Sequence, residues 1–274
     1  SQMDEFLEKP REFPEKKTVL DFYFALRNFL NIYDLVDDHY VIYSQMTEEG
    51  QFRIRLFCVD PSVNLQKCID KSNSTIFFSA TLLPIGYYKR LLSTDEDNYA
   101  IYAQSTFAQT QRLLAFGRDV STKYTRRNRK EYEKIADYIG AVTEAQQGNY
   151  MVFFPSYRLM QDVYEVFAGK AADSCEILMQ HSNMKEHERE AFLEEFEKER
   201  QGTLVAFCVM GGIFGEGIDL KNDRLIGAII VGTGLPQVSD EREILKNYYD
   251  ERGLSGFDYA FRYPGMNKVL QAAG

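Results

Sequence analysis

The second half of the chain contains four continuous apolar stretches, and this pattern constrains the fold more than any other feature. The stretches are NYMVFFPS from residue 149, CEILMQ from 175, TLVAFCV from 203 and RLIGAIIVG from 224. Amphipathic helices are predicted around and between them. Apolar strands that alternate with such helices are typical of a parallel sheet covered by helices on both faces. The sequence therefore predicts an α/β fold.

Two of the predicted helices have a clear apolar face. In the first, EYEKIADYIGAV, we expect this face to carry Ile135, Tyr138, Ile139 and Val142. Ser156 can cap the second helix, whose apolar face carries Met160, Val163, Tyr164 and Phe167. A third, highly charged helix is predicted over MKEHEREAFLEEFEKER, from residue 184.

The first third of the chain is predicted to be a mixed α/β segment. VLDFYFALRNFLNIYDLV is long enough for a helix, and HYVIYSQ and RIRLFCVD read as strands. STIFFSATLLP is predicted to be a short buried strand closed by Pro84, where we expect the boundary between the two regions. The buried stripe of the helix is predicted to consist of Leu26, Phe29, Leu30 and Tyr33.

Composition excludes several classes of protein. The 274 residues carry a formal net charge of −9, so the surface as a whole does not attract nucleic acid, although a local basic groove can. No stretch approaches the roughly 18 apolar residues of a membrane span, and no signal peptide opens the chain. We therefore expect a cytoplasmic protein with no membrane partner. The chain starts at Ser1 without an initiator Met, which suggests part of a longer protein.

The cysteines and histidines indicate no metal site. The four cysteines share no CxxC spacing, and the three histidines have no metal-ligand spacing. Reduced, buried thiols are the expected state, because Cys58 and Cys208 lie in apolar, strand-like runs.

Polar or glycine-rich loops follow several predicted strands. Any one of them alone reads as an ordinary loop, but ligands collect at the carboxyl ends of the strands in such sheets. A shared site is therefore plausible if the loops lie on one edge. They are SAT at 79–81, PSYR at 155–158, QHS at 180–182, GGIFGEGID at 211–219 and GTGLPQ at 232–237.

The loop GGIFGEGID matches neither common nucleotide-binding loop. Ile218 and Asp219 occupy the positions where a Walker A loop has Lys and Ser or Thr. Only seven residues separate Gly217 from the next strand at Leu225, which is too short for the helix of a dinucleotide fingerprint. Its carboxylates, on Glu216 and Asp219, can orient a basic residue, a sugar hydroxyl or a water. The loop therefore suits one edge of a composite site.

Five motifs together resemble, in order, conserved motifs of the XPD/DinG-like superfamily 2 helicases. They are SATLLP, VFFPSY, GGIFGEGIDL, IIVGTGLPQ and YPGMNKVLQAAG, and they cover residues 75–274. Ser79 to Thr81 resemble motif III, Phe154 to Tyr157 motif IV, and Gly211 to Leu220 motif V. Gln271 to Gly274 resemble the start of motif VI. The resemblance implies a RecA-like fold and an ATP-dependent 5′–3′ DNA helicase that acts on single-stranded DNA.

The resemblance also implies that much of the motor lies outside the chain. Residues 1–83 would be the end of the first motor domain with its arch insertion, and residues 84–274 a second RecA-like domain truncated within motif VI. ATP and Mg²⁺ would bind between this domain and a missing N-terminal motor domain, and any iron–sulfur cluster would lie outside this chain. The chain alone is therefore expected to lack ATPase activity.

The resemblance assigns roles to individual residues. Ser79 and Thr81 would couple the nucleotide state to the grip on DNA, although capping a helix is an alternative role. Gln271 and Asp219 would act at the catalytic site. The nucleotide side is completed by Glu216 and Gly217, and the nucleic-acid side by Ser156, Tyr157, Arg158 and Gly215. Gln180 is added to the nucleic-acid side only because it ends a strand that faces the same edge. Ser156 is equally suited to capping.

A basic stretch, RDVSTKYTRRNRKEYEK, spans residues 118–134. Its cations can neutralise phosphates and its tyrosines can stack on unpaired bases, with Arg126 and Arg127 as the expected contacts. A solvated helix start is an equally good interpretation.

Two other functions fit parts of the sequence. A RecA-like domain without a motor partner could bind nucleic acid or protein without catalysis. A small α/β enzyme for a phosphorylated metabolite is less well supported, because the chain shows no evident nucleophile, base or metal set.

Overall fold

A computed structural model describes residues 15–105, 108–171, 174–215 and 218–273. The chain divides into two units. The smaller comprises the residues up to Phe77 with Tyr88–Asn98, and the larger comprises Phe78–Tyr87 with the residues from Tyr99 onward. None of the helices in the described ranges combines the length and hydropathy that crossing a bilayer requires.

The smaller unit contains an antiparallel hairpin, as the two predicted strands suggested. Tyr40 pairs with Cys58 and Met46 with Phe52, so the hairpin turns between residues 46 and 52. The elements are α1 (Lys16–Tyr33), β1 (Tyr40–Met46), β2 (Phe52–Cys58) and α2 (Ser62–Ile69). A further helix, α3 (Ile85–Leu92), begins directly after Pro84.

The predicted helix α1 is confirmed, but its predicted buried stripe is wrong. Leu26, Phe29, Leu30 and Tyr33 are all at least 40% exposed, and no residue of α1 is buried. A 3.6-residue period places apolar side chains on one face, but burial also requires a surface that packs against this face. The described residues of the smaller unit provide none for these four.

The predicted buried strand before Pro84 is also wrong. Residues 74–79 form no strand, and Ile76 and Phe78 are more than 80% exposed. A strand needs a neighbour for its backbone hydrogen bonds, and no described strand pairs with this segment. The apolar composition of STIFF indicated a strand without showing whether a partner strand exists.

The larger unit is built on the parallel sheet that the apolar stretches predicted. Its strands lie in the order β4-β5-β3-β6 and all run in parallel. Phe153 of β3 lies opposite both Cys208 of β5 and Ile230 of β6, so these strands end at the same edge. Their bounds are Asn149–Phe154 for β3, Cys175–Met179 for β4, Thr203–Val209 for β5 and Gly227–Ile230 for β6.

Helices cover both faces of this sheet, so the predicted fold class is confirmed. Val152 and Phe154 belong to one apolar core, while Met151 and Phe153 belong to the other, because successive strand residues point to opposite faces. The helices are α4 (Arg129–Ala145), α5 (Tyr157–Ala168), α6 (Glu186–Glu194), α7 (Asp240–Glu251) and α8 (Tyr263–Ala273), with a π-helical turn at Asp258–Arg262 before α8.

The apolar face of α4 differs from the prediction at two positions. Ile135 and Ile139 are buried as expected, but Tyr138 and Val142 are each 41% exposed. The buried face is rotated toward Ala136 and Thr143. Tyr138 is turned outward and donates a hydrogen bond from its hydroxyl to Asp119. The predicted face of α5 is confirmed: Met160, Val163 and Phe167 are buried and Tyr164 packs against them.

The expectation that the thiols are buried holds for one cysteine. Cys208 is fully buried in β5, and burial raises the pKa of its thiol, so it stays protonated and inert. Cys58 and Cys175 are half-buried and Cys68 is exposed. All four are free of disulfides.

Candidate functional site at the carboxyl edge of the sheet

Four of the predicted loops lie at one edge of the sheet, where the parallel strands end. Residues 155–158 follow β3, 180–182 follow β4, 210–215 follow β5 and 231–237 follow β6. Direct contacts join these loops to one another and to α8.

The loop after β3 begins the helix α5. Ser156 caps this helix, because its hydroxyl accepts a hydrogen bond from the backbone N–H of Leu159 at 3.4 Å. Tyr157 and Arg158 follow in the first turn, and both side chains are exposed. The predicted capping role of Ser156 is confirmed, and the next two residues present an aromatic ring and a cation at the edge.

Gln180, the first residue after β4, joins two of the loops. Its side chain is only 2% exposed. The amide nitrogen Nε2 donates to the Tyr157 hydroxyl at 2.9 Å, and the amide oxygen Oε1 accepts from the backbone N–H of Val209 at 2.9 Å. Gln180 therefore contacts the loop after β3 and the end of β5.

The glycine turn, residues 210–215, is held by its own backbone. Gly212 N–H donates to Val209 O at 3.1 Å, and Gly215 N–H donates to Gly212 O at 2.9 Å. A Cβ atom at Gly215 would lie 3.1 Å from the backbone nitrogen of Gly211, so any side chain there would require this backbone to shift by a few tenths of an ångström. Phe214 anchors the turn, because it is fully buried and stacks on Phe192 with ring centroids 4.3 Å apart.

The acidic part of the same loop is described only in part. Glu216 and Gly217 lie outside the described residues. Asp219 is exposed and forms an ion pair with Lys221 at 2.9 Å. Its neighbours Ile218 and Leu220 pack against the same apolar core as Val269 and Ala272 of α8. Asp219 and Gln271 therefore lie in segments that share one face of the sheet.

Helix α8 lies against the loops after β5 and β6. A Cβ atom at Gly211, whose φ is +68°, would be 3.2 Å from the side chain of Lys268. A Cβ atom at Gly265 would be 3.0 Å from Thr233 O. Gln271 follows Lys268 by about one helical turn and is half-buried. The structure thus brings the glycine turn and the helix of Gln271 together.

Ser79 and Thr81 form a small hydroxyl cluster of their own. Thr81 N–H donates to the Ser79 hydroxyl at 3.2 Å, and the two hydroxyls are 3.3 Å apart. In the described ranges, no hydrogen bond joins them to the four loops. Tyr87, six residues further on, packs on Tyr263 at the start of α8 with ring centroids 4.9 Å apart.

The basic stretch is positioned at the loop after β6. A Cβ atom at Gly232 would be 2.5 Å from the hydroxyl of Thr122. Arg126 pairs with the buried carboxylate of Glu131 at 2.7 Å, and Arg127 Nε donates to Thr122 O at 3.1 Å. Arg126 and the N–H of Ser121 hold the pKa of Glu131 below its ordinary value. Both predicted DNA contacts thus also hold their own segment together.

Tyr132 links this stretch to the loop after β3. Burial raises the pKa of its hydroxyl, and a hydrogen bond with Asp162 of α5 raises it further, while the nearby Arg127 and Arg158 lower it. Arg158 therefore lies close to the basic stretch. The sequence did not suggest this proximity, which depends on how α4 packs against α5.

The sequence also gave no role to Lys268. The available signal was its position in the stretch YPGMNKVLQAAG, three residues before the start of the motif VI resemblance at Gln271. Within the described residues it forms no ion pair, and its aliphatic part covers Gly211.

The parallel sheet with helices on both faces is the RecA-like fold that the resemblance implied. Four loops and a helix laid against the glycine turn lie at its carboxyl edge. Residues 139–274 match the family model described as "Helicase C-terminal domain". Over these residues, which are just under half of the chain, the chain is similar to this family, and the predicted resemblance to the XPD/DinG-like helicases is confirmed.

The chain is similar to several curated helicases. The ATP-dependent DNA helicase CHL1 of Candida albicans is 22% identical over 222 residues, which cover 74% of this chain and 26% of that protein. A probable ATP-dependent helicase of Methanocaldococcus jannaschii is 25% identical over 255 residues, which cover 89% of this chain and 37% of that protein. The chain thus spans about a quarter to a third of the length of these relatives.

Two solved structures share the fold. One named XPD_APO has a TM-score of 0.57 at 17% identity and covers 96% of this chain and 55% of its own. One named XPD_Helicase has a TM-score of 0.56 at 18% identity and covers 97% of this chain and 50% of its own.

Proposed function

We propose that this chain is the C-terminal part of an ATP-dependent DNA helicase that translocates 5′ to 3′ on single-stranded DNA. Residues 1–83 would be the end of the first motor domain with its arch insertion, and residues 84–274 the second RecA-like domain. The observation that carries the proposal is the contact between α8 and the glycine turn in a chain whose relatives are named ATP-dependent helicases.

The nucleic-acid side would be formed by the loop after β3 and the basic stretch beside it. The exposed ring of Tyr157 offers a surface for base stacking, and Arg158 offers a cation for the phosphate backbone. Arg126 and Arg127 would add charge at the same edge. Ser79, Thr81, Ser156 and Gly215 would complete this side.

The nucleotide side would be formed by Gln271, Asp219, Glu216 and Gly217. These residues fit one wall of a nucleotide site, with an amide and carboxylates that can orient polar groups. Among the described residues, no three His, Cys, Asp or Glu cluster to hold a metal ion. Bound ATP and Mg²⁺ would supply the phosphoryl transfer, and this chain would contribute positioning and charge stabilisation.

Two parts of the proposal follow from the resemblance alone. The chain by itself would not hydrolyse ATP, since the loop that cradles the phosphates would belong to the N-terminal motor domain. Any iron–sulfur cluster would lie in that other part of the protein. The cytoplasmic location also stays a prediction.

The test is ATP hydrolysis by the full-length protein with and without single-stranded DNA. Asp219→Ala is expected to abolish most of the stimulation by DNA. Its ion pair with Lys221 is highly exposed on both sides, so the fold should be unaffected. Asp223→Ala is the matched control, because Asp223 is an exposed acid near the amino ends of the strands, and it should behave as the wild type.

Each outcome has a clear meaning. Equal stimulation in Asp219→Ala and wild type would contradict the assigned loop. Binding of single-stranded DNA without any stimulated hydrolysis would favour a non-catalytic binding module. Turnover by the 274-residue chain alone would refute the proposed division of the motor.

A further inference from the structure

Gln180 continues the sheet beyond the point where β4 ends. Its backbone N–H donates to Phe207 O at 2.9 Å, which is an ordinary contact between β4 and β5. The next N–H of β5 on the side of β4 is that of Val209. It donates to the side-chain oxygen Oε1 of Gln180 instead of to a backbone carbonyl. The side-chain amide thus acts as one more peptide group of β4, and its position is fixed by the sheet.

This arrangement also fixes how the Tyr157 hydroxyl is oriented. Since Oε1 accepts from Val209, the other end of the amide must be the donor, and it donates to the hydroxyl at 2.9 Å. The hydroxyl accepts this bond and keeps its own hydrogen for another acceptor. Tyr157 is 39% exposed, so this hydrogen and one part of the ring can meet a ligand at the edge.

The glycine turn presses against the same amide. A Cβ atom at Gly212 would lie 3.1 Å from Nε2 of Gln180 and 3.0 Å from Val209 O. Both distances are shorter than ordinary van der Waals contact. Gly212 therefore allows the turn to approach Gln180 closely, and a shift of the turn would displace the amide and the hydroxyl that it holds.

We propose that Gln180 is a positioning residue for single-stranded nucleic acid, which holds Tyr157 so that its hydroxyl donates to a phosphodiester oxygen. It also makes this contact depend on the position of the glycine turn, through Gly212. The buried amide is engaged at both ends, so the contacts favour this role over the direct nucleic-acid contact that the sequence suggested. The inference rests on the proposed function.

The experiment measures ATP hydrolysis by the full-length protein as a function of oligo-dT concentration. Tyr157→Phe and Gln180→Leu should each raise the concentration for half-maximal stimulation about twofold to tenfold. A ring that is no longer held must be ordered on binding, and one hydrogen bond is lost. The maximal rate should change less than this concentration, because the contact acts on binding. The exposed Gln161 of α5 supplies the control, and Gln161→Leu should leave both quantities unchanged.

The double variant separates positioning from general damage. Both substitutions break the same contact. The double variant Tyr157→Phe with Gln180→Leu should therefore need no more oligo-dT for half-maximal stimulation than the more strongly affected single variant. Gly212→Ala should also raise the oligo-dT concentration for half-maximal stimulation, and this effect should vanish in the Tyr157→Phe background. If Gln180→Leu does not fold, this second cycle decides.

Two results would overturn the inference while leaving the helicase proposal intact. One is a double variant, Tyr157→Phe with Gln180→Leu, whose half-maximal oligo-dT concentration rises by the product of the two single fold-changes. The same result for Tyr157→Phe with Gly212→Ala, in the second cycle, would have the same meaning. The other is a Tyr157→Phe variant with the DNA dependence of the wild type. By contrast, a wild-type protein that DNA does not stimulate at all would remove the helicase proposal and this inference with it.

Discussion

The two edges of the parallel sheet differ in how their charges are used. At the amino edge an open depression is lined by the start of β3 and by the segments that precede β5 and β6. Its cations are held by nearby acids: Arg224 pairs with Glu197 at 2.8 Å, and Arg200 lies 3.7 Å from Glu195. Asn149 bridges the same region by donating to the carbonyls of Phe196 and Arg224.

The carboxyl edge has fewer internal charge pairs and more glycine. Arg158 and Lys268 form no ion pair with any residue that the structure describes, and Tyr157 keeps a hydroxyl hydrogen. At the amino edge, where the depression lies, the polar groups already contact one another. At the carboxyl edge, where the candidate site lies, polar groups can still bind a ligand. Concavity alone would therefore point to the amino edge, away from the candidate site.

The largest effect should come from the aromatic anchors of the two edges. Phe214 fixes the glycine turn and Phe196 lies beside the amino-edge depression, and both are at most 2% exposed. Replacing either by Ala should lower the free energy of unfolding by about 3–5 kcal/mol, measured by urea denaturation, because each leaves a cavity. Only Phe214→Ala should also weaken stimulation of ATP hydrolysis by DNA, at a temperature where both variants are folded.

Phe196→Ala is the matched control for this comparison, since both rings pack on Phe192. If the two variants lost DNA dependence equally, the effect would come from stability alone. The two edges would then not differ in their contribution to the stimulation of ATP hydrolysis by DNA.

A smaller effect is expected at Asn149. Asn149→Ala removes the donor that satisfies the carbonyls of Phe196 at 3.2 Å and Arg224 at 3.0 Å. The free energy of unfolding should fall by about 1–3 kcal/mol in urea denaturation, since buried polar groups lose their partner. DNA-stimulated hydrolysis by the folded variant should be unchanged.

Gln147→Ala serves as the control at the same depression. Gln147 is exposed, so its replacement should change stability by less than about 0.5 kcal/mol. A loss of DNA stimulation in Asn149→Ala, at equal folded fraction, would show that the amino edge takes part in function.

The sequence predicted those parts of the fold whose signal is local. The apolar strands, the cap at Ser156 and the shortness of the loop after β5 follow from neighbouring residues. Whether an apolar face is buried depends on a partner surface, which is why the stripe of α1 and the strand before Pro84 were predicted wrongly.

The candidate site shows the same limit. Parallel strand ends must share an edge, so the sequence could place four loops together. It could not show that Gln180 is buried against Tyr157, or that Thr122 packs on Gly232, since the residues of each pair are 23 and 110 positions apart. Such contacts depend on the packing of whole helices and strands.

The smallest effect concerns the ion pair between Arg126 and Glu131 in the basic stretch, which lies at the loop after β6. Arg126 and the N–H of Ser121 lower the pKa of Glu131 in the folded protein. A depressed pKa contributes stability that is present above the unfolded value, about 4.3, and is lost as the pH falls through the folded pKa. In Glu131→Gln this contribution is absent, so the free energy of unfolding should fall less steeply with acidification below about pH 5. Urea denaturation at a series of pH values measures the slope.

Glu133→Gln is the control, because Glu133 pairs with Arg129 at the surface and should keep the wild-type slope. An unchanged slope in Glu131→Gln would mean that Arg126 is not committed to this carboxylate, and would return it to the set of cations that can bind DNA.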